Sequence, residues 1–465
     1  MKVTTIHKPP VAVIGGGISG LSAAFWLMQE GIDTIVIEQS HRAGGVIRSE
    51  KIDGYLIDYA ANCLLNYLPE VNTLCEVVGA RDEKIYRSES AKRRYLLKDG
   101  RPVRFPQGPL DFIRTDLWSM KGKVRLIAEP FIPRAESGVE ETVSEFITRR
   151  FGQETLEQIV EPFIGGSYAG NPSQLCARST FPILHEIERR YGSLTVGALI
   201  KRLKGQQSNC PTHLFSFRNG METLPRAIRH YLGNRFLSQK RVVEIEHRVD
   251  KTWDIIAEQN GKTSVHNVDA IVIATRSMEA GTLISSIDPL TSRMLERIEY
   301  SPLAVVYAGF KREAVEHPLD GIGCMVPSKE GLNILGTLWN TTLFKGRAPE
   351  GMVALTNYLG GRRHPNIVDK TDEELLSATL VDLKKILGIS SSPDYFHIIR
   401  HSAAIPQYTP GHQEILKTVE ALPDRVPGLF IAGSYLRGVS VRDCISYGAK
   451  LSRRLTRSFT KDYSP

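Results

Sequence analysis

The sequence predicts an α/β protein: a discontinuous, Rossmann-like dinucleotide-binding domain, a mixed β-sheet domain beside it, and an inserted block of helices. Three observations carry this. A short apolar run, residues 11–14, leads straight into glycines 15, 17 and 20 and then a small-residue helix. Apolar strands of the same kind recur far down the chain, at 270–275 and 428–434. Between and around them lie one segment with helical spacing and one with strand spacing.

The elements follow in order. The apolar run 11–14 suits a buried parallel strand. Gly15 permits the tight turn, Gly17 lets a pyrophosphate approach the backbone, and Gly20 lets the helix pack on the strand. The helix N-terminus, from Ile18 and Ser19, offers unpaired N–H groups to phosphate. A second strand at 34–37 ends on Glu38, 18 residues past Gly20, where a carboxylate meets ribose hydroxyls, with Gln39 beside it. A glycine turn alone is a weak signal; strand, glycines, helix, strand and acid in sequence make a strong one. The stretch 93–100 reads as a strand and turn, and residues 110–203 as helices broken at Pro130, Pro133, Gly152 and Gly165. Strands are expected at 242–246, 253–256 and 270–275, then a mostly β segment over 300–360. One helix is expected around 372–387, a strand near 395–399, and a last helix from about Arg442. The resulting division is 9–88 with 208–278 and 410–460 for the nucleotide, 89–207 for the helical insert, and 279–409 for the substrate.

Composition sets limits. At 465 residues, with 42% hydrophobic and 24% charged residues, the chain has the balance of an ordinary globular protein of two or three domains. A net charge of +8 fits an anionic substrate, an anionic membrane surface or simple solubility. The six cysteines, 63, 75, 176, 210, 324 and 444, form no C-x-x-C pair and read as reduced thiols in the cytoplasm. No histidine pairing suggests a metal, and His401 and His412 read as lone structural residues. Residues 1–10 are too short and polar for a secretory signal, and no run is apolar enough to span a bilayer.

Which dinucleotide binds is answered by the turn Arg42-Ala-Gly44-Gly45. On residue chemistry alone this is a solvated arginine beside an ordinary turn. In position, however, it resembles the R-x-G-G turn of the amine-oxidase-like flavoproteins, which implies FAD, with Arg42 as a charge partner and the glycines as close-approach backbone. Further motifs narrow the resemblance. Residues 161–171, 321–330, 334–339, 358–361, 404–412 and 427–448, with Arg347-Ala-Pro, are similar to the protoporphyrinogen oxidase family over essentially the whole chain.

That resemblance implies oxidation of protoporphyrinogen to protoporphyrin, two electrons at a time through FAD, with oxygen reduced to hydrogen peroxide. The flavin carries the redox step, so no side chain is assigned as a general base. A flat apolar ring with anionic propionates calls for an apolar slot and one or two cations. By the same resemblance Arg94 binds a propionate, Met325, Leu338 and Tyr358 form the slot walls, and Gly170 lets a loop approach the ring edge. Taken singly, each wall residue is plain core. Val243 falls at the adenine position, and Gly433, Gly438, Val439 and Val441 face the flavin at the start of the last helix. Phenylalanine and leucine are common in the family at the positions of Tyr358 and Met325, which leaves fine ligand preference open.

The rivals remain coproporphyrinogen III oxidation by the same machinery, another amine-oxidase-like flavoenzyme, and a non-catalytic partner-binding relative. The resemblance also carries expectations of a homodimer and a peripheral contact at the inner face of the cell membrane, with no nucleic acid. For that contact, Phe112, Ile113, Leu117 and Trp118 lie among Arg114, Lys121, Lys123 and Arg125; helices packed on the core are the equal reading.

Overall fold

The computed structural model describes residues 11–66, 68–136, 138–204 and 213–462. The readings of residues 1–10 and of Cys210 fall outside them.

Five short strands form one parallel sheet in the order Phe236–Leu237, Thr34–Ile37, Val11–Ile14, Ala270–Ile273, Leu429–Ile431. Because side chains alternate across a strand, both faces must be covered for such apolar runs to be stable. Val11, Val13 and Val36 pack beneath the helix Ile18–Gln29 and the last helix, Val441–Asp462. Ala12, Ile14, Ile37, Ile271 and Ile273 face the other way, against Ile245, Trp253 and Ile255. Those three belong to an antiparallel layer of Arg241–His247, Trp253–Gln259 and Lys262–Val268. The nucleotide fold is therefore assembled from distant pieces of chain, as expected. Its edge strand Phe236–Leu237 escapes sequence reading because two residues show no period.

The second sheet has seven strands in the order Tyr395–Pro406, Tyr300–Lys311, Met352–Gly360, Ile334–Trp339, Gly321–Met325, Arg93–Lys98, Arg101–Arg104. All pairings are antiparallel except Gly321–Met325 with Arg93–Lys98, so the sheet is mixed. The two strands from residues 93–104 thus pair with this sheet, whereas the division drawn from sequence grouped them with the helices. The insert proper holds the helices Pro109–Arg114, Met120–Ile127, Val143–Phe151, Glu161–Tyr168, Pro182–Tyr191 and Leu194–Leu203. Its own core is Val143, Phe146, Ile147, Ile164 and Leu175. Leu117 and Trp118 are buried there against Leu96, and Phe112 packs on the Trp118 ring, so these three serve the packing reading rather than a membrane face.

Candidate active site

A continuous cavity of about 1610 Å³ runs from the first glycine turn to the face of the seven-stranded sheet. At its polar end lie the glycines of the first turn. A Cβ on Gly15, where φ is +109°, would meet the Ala274 carbonyl oxygen at 2.9 Å, and one on Gly20 would fall 2.0 Å from the Gly15 oxygen. At Gly17 a Cβ would meet nothing within 4 Å, so the backbone is bare toward the cavity. The helix that begins at Ile18 has no side-chain cap, leaving its first N–H groups for an anion. Glu38 is aimed by two backbone donors: Gly16 N–H reaches Oε2 at 2.5 Å and Ser40 N–H reaches Oε1 at 2.7 Å. A bare backbone, an uncapped helix and an oriented carboxylate together fit the pyrophosphate and ribose of FAD.

The sequence-expected residues Gly15, Gly17, Ile18, Ser19, Glu38, Gln39, Arg42, Gly44, Gly45, Val243, Gly433, Val439 and Val441 all line this cavity. Gly20 and Gly438 do not; they act from behind. Gly20 makes the helix–strand contact, and Gly438, at φ +95°, donates its N–H to the Tyr408 hydroxyl at 2.8 Å. The Arg42 guanidinium is engaged by carbonyls of its own turn, including Ile47 O at 3.0 Å, so it braces the loop rather than reaching out as a free charge.

The other end is an apolar lobe. Its walls are Tyr59, Ala60, Ala61 and Cys63; Phe163 and Gly165 to Ala169 on the insert helix; and Leu303, Val305, Tyr358, His401 and 403–406 on the large sheet. Tyr358 accepts a hydrogen bond from Asn62 Nδ2 at 2.7 Å, and Asn340 and Thr356 extend that buried chain. Burial pushes the Cys63 thiol up to about 12, the Tyr168 phenol up to about 12, and the Tyr358 phenol upward too, so these three groups stay protonated at ordinary pH. Lysine and arginine are absent from these lobe walls. The cations that line the cavity are Arg42, Lys240, Arg241, Arg276 and Arg442, the last close enough for its charge to act on Tyr168.

Of the substrate residues expected from sequence, only Tyr358 lines the lobe. Met325 packs against Leu96, Leu117 and Trp118, and Leu338 against Ala91, Leu343 and Phe344. Gly170 stands behind the wall: a Cβ there would meet Gln407 Oε1 at 2.8 Å and Leu175 at 2.9 Å. Arg94 is exposed outside the lining, with its charge felt at Cys63. Sequence reasoning missed Tyr59, Tyr168, Arg276 and the cavity position of His401. The small residues Ala403 and Ala404 beside His401 were the available hint, since strands that border a ligand thin their side chains. Among the described residues no cluster of His, Cys, Asp or Glu could hold a metal.

Comparison with known proteins agrees with this geometry. Residues 18–456 match the family model of flavin-containing amine oxidoreductases. The chain is 32% identical over 468 residues to the mitochondrial protoporphyrinogen oxidase of Nicotiana tabacum, covering 94% of this chain and 93% of that one. It is 27% identical to the coproporphyrinogen III oxidase of Bacillus subtilis (strain 168), covering 97% and 99%. A crystal structure from Exiguobacterium sp. 255-15 superposes with a TM-score of 0.78 at 22% identity, over 96% of this chain and 98% of that one.

Proposed function

The chain belongs to the flavin-containing amine oxidoreductases, with FAD as its cofactor, and we propose that it oxidises protoporphyrinogen IX to protoporphyrin IX in haem biosynthesis. One observation carries the choice of substrate class: the cofactor cradle and a large apolar lobe form one continuous cavity. Such a lobe suits a flat hydrophobic macrocycle and excludes water from it.

The cofactor would be held by the bare backbone at Gly17 and Gly45, by Glu38 at the ribose, by Val243 at the adenine, and by the 439–441 backbone at the flavin. When bound, FAD supplies the two-electron acceptor for hydride leaving a bridging carbon. The protein's own residues orient the macrocycle and keep water out. Tyr358, fixed by Asn62, sets one wall, and the insert helix Glu161–Tyr168 sets the wall facing it. Arg94 remains our candidate for a propionate reaching the cavity's edge.

Coproporphyrinogen III is the second reading, favoured by the full-length similarity to the Bacillus subtilis enzyme. Its four propionates would need more cations, and the lobe walls carry none. Porphyrin fluorescence under air, corrected for autoxidation, decides between them. Faster oxidation of protoporphyrinogen is expected; faster oxidation of coproporphyrinogen would move the protein to the other substrate, and no enhancement with either would refute the reading.

Oxygen as acceptor, a homodimer and a contact with the inner face of the cell membrane belong to the same proposal. In support of the contact, Leu110, Ile113, Met120, Val124, Ile127 and Phe131 are exposed on the insert beside Arg114 and Lys121. No helix among the described residues is long and apolar enough to cross a membrane. Sedimentation with anionic vesicles should be lost in Ile113→Glu/Ile127→Glu; retention would remove the membrane contact from the proposal.

A further inference from the structure

We propose that His401 is the proton acceptor of the oxidation, taking at Nδ1 a proton that the macrocycle must shed with each hydride; this rests on the porphyrinogen reading above. The imidazole lines the apolar lobe from the strand Tyr395–Pro406. Its cross-strand neighbour is Leu303, one step along the sheet from the Val305–Tyr358 pair. Successive alternate residues share a sheet face, so His401, Leu303, Val305 and Tyr358 form one wall.

The tautomer follows from the hydrogen-bond network. Nε2 lies 2.9 Å from the Tyr59 carbonyl oxygen, which can only accept. Nε2 therefore carries the hydrogen, and Nδ1 carries the lone pair. No described residue engages Nδ1. His412 makes a useful contrast. Its Nε2 also donates to a carbonyl, that of Tyr435 at 2.8 Å, but the ring is sealed in the core against Tyr408, and it stays structural.

The chemistry gives that lone pair a task. Removal of hydride from a bridging carbon leaves the macrocycle cationic. Neutrality returns when a pyrrole N–H bond breaks, its electron pair staying to close a C=N bond and its proton leaving. With FAD bound the hydride would go to the flavin, and the proton, released beside an apolar wall, needs a nearby acceptor. The other titratable groups facing the lobe are the Cys63 thiol and the Tyr168 and Tyr358 phenols, all held protonated by burial, the Tyr59 phenol, and the Asp443 carboxylate, which acts on Tyr168 and already accepts from Ser440 Oγ and Arg442. Behind Tyr59, Arg48 and Glu50 pair with each other, and the Tyr59 hydroxyl bonds both Glu50 and His397. Arg442 and Asp443 pair with each other within reach of Tyr168, and the Arg94 charge acts on Cys63. Among these, His401 alone presents an open basic lone pair to the lobe.

The test uses the FAD-loaded enzyme. His401→Gln keeps an N–H donor for the Tyr59 carbonyl and lacks the basic nitrogen; His401→Ala lacks both. Flavin bleaching by protoporphyrinogen is followed without oxygen as a function of pH. In the wild type the rate should fall on the acid side. In His401→Gln that acid limb should disappear and the rate drop on the order of 10²-fold, with KM and flavin content little changed. Added imidazole should restore part of the rate to His401→Ala. A wild-type rate with the acid limb intact in His401→Gln overturns the proposal, as does a loss confined to KM. If the wild type fails to bleach with either porphyrinogen, the functional reading falls and this inference with it. Wild-type bleaching therefore separates the two failures.

Discussion

Arg93 and Arg94 stand side by side on one strand and have opposite surroundings. Arg93 pairs with Asp320, while the Arg94 side chain has no hydrogen-bond or ion-pair partner among the described residues. Alternation on the strand sends the two to opposite faces, and only Arg94 acts on Cys63 at the cavity wall. An exposed cation that keeps its charge for an incoming carboxylate should matter in binding more than in chemistry. Arg94→Ala is expected to raise KM for protoporphyrinogen about tenfold, near the lower end for a charge-assisted hydrogen bond of ~1.5 kcal/mol, with kcat nearly unchanged. Steady-state kinetics checks this, and an unchanged KM would remove Arg94 from the site. Individual residues were legible where a backbone constraint speaks through the residue type. Gly15 and Gly20 each do a separate geometric job that no other residue can do. Met325 and Leu338 were not legible in the same way, because an apolar side chain on a strand looks alike from sequence whether it faces a ligand or a neighbouring core.

Whole elements were legible where caps mark both ends. The helix Asp372–Leu387 is bounded by Thr371 and Glu374 in a reciprocal capping box and by Gly388 at φ +68°, and the expected bounds coincide with the observed ones. The insert is harder to read, since its helices are held by buried charge as well as by an apolar core. Fully buried Arg150 lies between Glu129 and Glu188, and Glu129 also accepts from Ser193 Oγ at 2.6 Å and from the Leu194 and Thr195 N–H groups. Sequence cannot show which arginine meets which glutamate across 21 and 38 residues. Burial pushes both carboxyls up, but hydrogen bonds to Glu129 and the two arginines at Glu188 outweigh it, and both are held below the ordinary glutamate value. A lowered value in the folded state means stability that is complete above the unfolded glutamate value and lost as pH falls through the folded one. The opening equilibrium over residues 129–203, read by hydrogen exchange corrected for the intrinsic rate at each pH, should therefore rise as pH falls below ~4.3, before the parallel sheet opens. Glu129→Gln should flatten that dependence, and an unchanged slope would show that this network does not govern the insert.

At the scale of the whole molecule, the nucleotide fold is gathered from strands as far apart as Val11–Ile14 and Leu429–Ile431, and the cavity it borders is completed by the insert and the large sheet. A buried pair, Arg347 with Asp58, ties the loop after the large sheet's Ile334–Trp339 strand to the nucleotide fold, and Arg347 also donates to Ser216 Oγ at 2.6 Å. A ligand lying along such a cavity touches all of these pieces at once, so its binding energy should appear as stability of the entire chain. With free FAD at about 100 times its Kd, the gain is ~2.7 kcal/mol. For a chain of this size that is a rise of a few degrees in Tm, read by differential scanning calorimetry of apo and reconstituted protein. Gly17→Val isolates the cause. Its backbone is extended, with φ −71° and ψ 172°, and a Cβ meets nothing within 4 Å, so the apo fold should melt as the wild type does. The added methyls would stand where the pyrophosphate belongs, so FAD should no longer raise Tm and the purified protein should be colourless. Gly20→Val makes the opposite case. Its Cβ would fall 2.0 Å from the Gly15 oxygen, so the apo protein itself should be destabilised. If Gly17→Val lowered the apo Tm, or still shifted with FAD, the bare backbone at Gly17 would be a packing feature and the cofactor would have to lie elsewhere.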